Sequence, residues 1–130
     1  MKFQPETSEG VNLIARQEPG RVWVGTPAGP QSFEHSVLVP WSGAVQRWDA
    51  GSVTELTPAH FERIAELRPE VVIFGSGPRL QFVAPALQRA LIERRIGVET
   101  MDTAAACRTY NVLASEGRRA LAALLVTPKA

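Results

Sequence analysis

Apolar and polar residues alternate over residues 32–39, and apolar residues run unbroken over 71–74 and 120–126. The alternation sets Phe33, His35, Val37 and Val39 on one face and Ser32, Glu34, Ser36 and Leu38 on the other. That period of two predicts a half-buried antiparallel strand. Upstream, residues 11–15 and 21–24 read as short strands flanking the turn signal Glu18-Pro19-Gly20, and residues 26–30 break the second of them. Pro40 and Ser42-Gly43 end the alternating stretch, and residues 44–48 form one more short strand. The first 50 residues therefore predict a β meander.

The pattern changes near Gly51. Thr57-Pro58 opens a helix, with Thr57 as N-cap and Pro58 at the first helical position, where its missing N–H costs nothing. Phe61, Ile64, Ala65 and Leu67 form its inward stripe. Pro69 stops it and biases Arg68 towards an extended conformation. Residues 71–74 are apolar on both faces, which predicts a central strand of a layered sheet. A second helix is expected from about Phe82 to Arg95, with Pro85 in its first turn, Val83, Leu87, Ala90 and Leu91 inward, and Gly97 as its stop. Residues 98–101 form the next strand. Asp102 or Thr103 caps a third helix that runs to about Glu116, with Gly117 after it. Residues 120–126 read as a final strand. The order predicts an α/β fold of three layers: a central mixed sheet of about five strands, helices, and a small extra β layer from the meander.

At 130 residues the chain reads as one domain, 1–130, with residues 1–10 a loose terminus. The net charge of +1 argues against a nucleic-acid partner. Charge is unevenly spread. From Arg79 to Arg119 seven arginines face four acids, a net +3, which suits a solvated helix face or an anion-binding surface. Cys107 stands alone, so no intrachain disulfide forms. No apolar run approaches the roughly 18 residues of a membrane span. Residues 1–10 carry no apolar signal core. These features predict a cytoplasmic protein.

The chemistry is sparse. Gly75-Ser76-Gly77 follows a buried strand and precedes a helix, so its amides are candidates to cradle a phosphate, with Glu99 or Asp102 near a ribose. Leu80 stands where a third glycine belongs, which favours a tight strand-to-helix turn instead. Ser76 lacks the G-x-S-x-G context, and neither His35 nor His60 is tied to it by spacing. One cysteine and two scattered histidines predict no metal site. Cys107 lies beside Arg108 near a helix start, but it shares an apolar stripe with Tyr110, so it reads as a buried, slow thiol. Asn111, inside a helix, is expected to hydrogen-bond a neighbouring loop.

The run Met101-Asp102-Thr103-Ala104-Ala105-Ala106-Cys107-Arg108-Thr109-Tyr110-Asn111-Val112-Leu113, followed by Glu116-Gly117-Arg118, carries a resemblance. With the loop at 75–77 and Trp48 before the first helix, it resembles a family of small bacterial and archaeal proteins of unassigned function. That family is related to the mitochondrial complex I assembly factor 3 and to an adipogenesis-associated protein with the same domain. The resemblance implies the three-layer fold above and a prokaryotic member without a mitochondrial targeting extension. It carries over no catalytic residues and no cofactor.

Two functional readings follow. The leading one is a non-catalytic protein-interaction or assembly-factor-like domain, with a protein partner and a peripheral dock at the inner membrane through it. The alternative is a small-molecule or anion-binding domain, enzymatic or not. Either would use the edge where strands 71–74 and 98–101 end side by side. The candidate residues are Gly75, Ser76, Gly77, Arg79, Asp102, Thr103, Arg108, Tyr110 and Asn111, and Arg79 and Arg108 are expected to bias the edge towards an anion or a carboxylate side chain.

Overall fold

The computed structural model describes residues 10–127, so residues 1–9 of the expected loose terminus lie outside them. Among the described residues the elements run β1 (Leu13–Glu18), β2 (Arg21–Thr26), β3 (Gly29–Phe33), β4 (Val37–Pro40), β5 (Gln46–Arg47), α1 (Pro58–Glu66), β6 (Val71–Gly75), α2 (Arg89–Glu93), β7 (Gly97–Met101), α3 (Thr103–Ser115) and β8 (Ala120–Leu124). They build two sheets. Strands β1-β2-β3 form an antiparallel sheet, and a five-stranded mixed sheet has the order β5-β4-β8-β6-β7. Within it β8, β6 and β7 are parallel, while β4 runs against β8.

Strand alternation explains the layers. Val71 and Ile73 face one side of the main sheet, where Ala106, Cys107 and Tyr110 of α3 and Ile14, Val22 and Val24 of the small sheet cover them. Val72 and Phe74 face the other side, under Phe61 and Ile64 of α1 and Leu91 of α2. Trp48 packs edge-on against Phe61 and Phe74, with ring centroids 6.0 Å away in each case. Each such buried side chain contributes about 2 kcal/mol of transfer free energy. The three-layer expectation is borne out, and β8 takes the central place that its all-apolar sequence suits: all five of its residues are buried.

Several boundaries differ from expectation. The meander of the first 50 residues is divided between sheets: β1–β3 form the extra layer, while β4 and β5 join the main sheet. The single strand expected over 32–39 breaks after Phe33, and all four residues of β4 are buried. Pairing with β8 brings this about, because it puts Leu38 in the core on the second face. Arg68 is not extended. Its φ of 55° is left-handed, and its N–H closes onto the Ala65 carbonyl at 3.0 Å, ending α1. The second helix is shorter than the 82–95 expected: a 3-10 turn over Pro85–Gln88 leads into α2, and Phe82 is exposed. Pro85 forces this start, since Ala84 before it is extended, with ψ 133°. Its stop is Arg95, at φ 58°, rather than Gly97, which begins β7.

Candidate functional site

Parallel β6 and β7 end level, with Gly75 opposite Met101, and β8 ends beside them with Leu124 opposite Gly75. The chain leaves β6 through Ser76 and Gly77 and enters α3 through Asp102 and Thr103. These residues lock together. The Thr103 hydroxyl donates to the Leu125 carbonyl at 2.8 Å and accepts from the Gly77 N–H at 2.9 Å. The Thr103 N–H returns to the Gly77 carbonyl at 2.9 Å. Gly77 has φ 109°, which an L side chain rarely adopts. Gly75 is needed for a different reason: a Cβ there would meet the Thr103 Cα at 2.9 Å and the Ala106 Cβ at 3.1 Å. The tight turn read from the glycines is thus a joint between β6 and α3.

Ser76 holds the loop that follows. Its hydroxyl contacts the Arg79 carbonyl at 2.7 Å and the Met101 carbonyl at 3.2 Å, and accepts from the Gln81 N–H at 3.0 Å. Its own N–H donates to the Met101 carbonyl. Asp102, rather than Thr103, is the N-cap of α3, accepting from the Ala105 N–H at 2.8 Å. The amides of Ser76, Gly77, Thr103 and Ala105 are therefore all engaged inside the protein.

The other candidate residues lie apart from this joint. Arg79 and Arg108 are exposed. Tyr110 and Asn111 fasten α3 to the small sheet. The Tyr110 hydroxyl lies 2.7 Å from the Asn12 carbonyl and 3.0 Å from that of Pro40, and burial pushes its pKa up. The Asn111 amide accepts from the Ile14 N–H and donates to the Ile14 carbonyl, both at 2.8 Å, as a neighbouring strand would. The partner of Asn111 is thus a strand of the meander rather than a loop.

Beside the joint lies a groove of about 410 Å³, apolar over most of its wall. Gly77, Pro78, the start of α3, residues 125–127 and the β1–β2 turn from Gln17 to Arg21 line it. Neither Arg79 nor Arg108 lines it, whereas Glu18, Arg21 and Asp102 do. The β1–β2 turn was legible as a turn, but no local signal tells that it shares a groove with the start of α3. The adjoining loop exposes two large apolar side chains, Leu80 at 52% and Phe82 at 73%.

Other nucleophiles and bases are committed elsewhere. His60 bonds the Asp49 carbonyl through Nε2 at 2.7 Å and accepts the Thr57 N–H at Nδ1. Cys107 is buried, and desolvation pushes its thiol from 9.0 up to about 12, outweighing the opposing pull of Arg108. Ellman's reagent is therefore expected to label native Cys107 far more slowly than the urea-unfolded chain. The raised thiol also favours the protonated folded state. Its contribution is fully present below the unfolded pKa and is lost as pH rises from about 9 to about 12. Replacing Cys107 by Ala should flatten that part of the alkaline stability profile.

Fold and edge together define a class: a small three-layer α/β domain with a sealed β6–α3 joint and an apolar groove beside it. The chain belongs to the family described as protein of unknown function DUF498/DUF598, whose family model matches residues 14–125. It is 33% identical over 127 residues to NADH dehydrogenase (ubiquinone) 1 alpha subcomplex assembly factor 3 of Bos taurus, covering 91% of this chain and 68% of that protein. A crystal structure from Bordetella parapertussis matches with a TM-score of 0.81 at 32% identity, covering 94% of this chain and 99% of that one. A Bordetella pertussis protein described as an Mth938-like domain matches with a TM-score of 0.80 at 28% identity, over 100% of this chain and 95% of that one.

Proposed function

We propose that this chain is a non-catalytic protein-interaction domain that assists assembly of respiratory complex I. Its docking surface on this reading is the edge formed by the groove and the loop carrying Leu80 and Phe82. The observation that carries the reading is that relatives named as complex I assembly factor 3 match across 91% of the chain. The edge supplies fitting chemistry. An exposed aromatic on a loop whose first residues line an apolar groove is the kind of anchor that dominates protein interfaces. Ser76 holds the loop's start in place, which limits the ordering cost on binding. The burial of Cys107 and the backbone engagement of Ser76 and His60 also favour a binding role over a catalytic one.

Among the described residues no helix is long and apolar enough to cross a membrane. On this reading the chain works in the cytoplasm and reaches the inner membrane through its partner. The test is deletion of its gene in its own host, followed by native gels of the respiratory complexes. Loss of mature complex I with accumulation of subassemblies, reversed by the wild-type chain, is the expected outcome. Unchanged complex I in the deletion strain would overturn it.

A further inference from the structure

We propose that a second site, at the opposite end of the main sheet, binds a phosphate-bearing anion between Arg68, Arg94 and Arg119. The topology brings these residues together. Strands β8, β6 and β7 are parallel neighbours and begin level, with Val71 opposite both Ala120 and Gly97. Arg119 directly precedes β8, Arg68 and Pro69 lead into β6, and Arg94 closes α2 just before β7. Neighbouring strands lie about 4.8 Å apart, so three successive strand entries present guanidinium groups along one edge. All three line one cavity of about 580 Å³, within the ordinary size range of small-ligand sites.

The charge of the cavity wall points to an anion. Among the described residues Glu66 is the one carboxylate on the cavity wall, which leaves three cations against one anion, a net +2. That balance matches a phosphate group, which carries nearly two negative charges, better than a single carboxylate. Glu70 also pairs with Arg119, at 3.9 Å, but its shorter ion pair is with Arg118. Among the described residues neither Arg68 nor Arg94 has an ion-pair partner. Arginine near a helix C-terminus complements the dipole, which accounts for part of the attraction at Arg68 and Arg94 but not for Arg119. Arg68, like Arg95 outside the cavity lining, occupies a left-handed position that glycine fills without strain. Among the described residues no aromatic side chain lines the cavity, so recognition rests on the phosphate rather than on a stacked base.

Arg68→Gly separates a binding role from a structural one. It removes a cation while relieving the backbone, so the variant should melt at or above the wild-type temperature yet bind pyrophosphate about tenfold more weakly. Binding is read by amide NMR titration of the intact chain with pyrophosphate at low salt. Saturable shifts are expected at 66–69, 94–97 and 119–120. Arg94→Gln should weaken binding about as much, and Arg89→Gln, away from the cavity, should leave it unchanged. Vesicles of phosphatidylcholine doped with phosphatidic acid identify the source. Vesicle binding that Arg68→Gly abolishes assigns the anion to a lipid headgroup, and pyrophosphate binding without vesicle binding assigns it to a free phosphate compound. Absent or non-saturating shifts, or equal binding by Arg68→Gly and wild type, would overturn the proposal.

Discussion

Thr103→Val is expected to lower the stability of this domain by about 3 kcal/mol, although the replacement is nearly isosteric. The Thr103 hydroxyl is the shared partner of two buried backbone groups, the Gly77 N–H and the Leu125 carbonyl. A valine methyl satisfies neither. Leaving a buried backbone group unpaired costs about 1–3 kcal/mol, and here two lose their partner together. Asp102→Ala removes only the helix cap and should cost about 1 kcal/mol. Urea denaturation of both variants checks this. A midpoint for Thr103→Val well below that of Asp102→Ala, at equal slope, is the expected order. The reverse order would mean that the cap, not the hydroxyl bridge, holds the joint.

The second large effect is expected at Gly75. A methyl group there would sit 2.9 Å from the Thr103 Cα and 3.1 Å from the Ala106 Cβ. The closest of these atoms is backbone, so β6 and α3 would have to separate. Overpacking of this kind typically costs 1–3 kcal/mol, and a rigid backbone neighbour puts Gly75→Ala near the top, at about 3 kcal/mol. The loss should appear in thermal melts together with amide shift changes concentrated at 75–77, 102–106 and 125. A variant that melts with wild type would show that the two elements have more slack than these distances allow.

Much of the architecture was legible because the inner strands of the main sheet are buried on both faces. Val71, Val72, Ile73 and Phe74 marked a central strand, and residues 120–126 read as a final strand although their Ala and Leu content also suits a helix. Thr57-Pro58 marked the start of α1. What the sequence concealed was set by partners far along the chain. The alternation from Phe33 to Val39 runs across a break, with β3 largely exposed in the small sheet and β4 buried on both faces in the main sheet. Only the pairing of β4 with β8, some 80 residues later, divides them. Where α1 and α2 end was legible to within about two residues, but not how they end: arginine, not glycine, takes the left-handed position at each.

The candidate edge was half legible. Two parallel strands ending side by side implied that Gly75, Ser76 and Gly77 would meet Asp102 and Thr103, and they do. The interlocking of their amides and hydroxyls was not visible, since it depends on the Leu125 and Met101 carbonyls. Arg79 and Arg108 are close to the joint in sequence, but both point to solvent. Asn111 signalled itself as a polar residue out of place in a helix, and it proved to complete the ladder of β1.

The central claim is that this edge serves docking, and Phe82 tests it most directly. Its side chain is 73% exposed, so Phe82→Ser should change stability by no more than about 0.5 kcal/mol. The measurement is complementation of the deletion strain by Phe82→Ser, at matched protein level and with a wild-type melting profile. The account predicts that the variant folds normally and fails to restore complex assembly. Full restoration by a well-folded Phe82→Ser chain would contradict it.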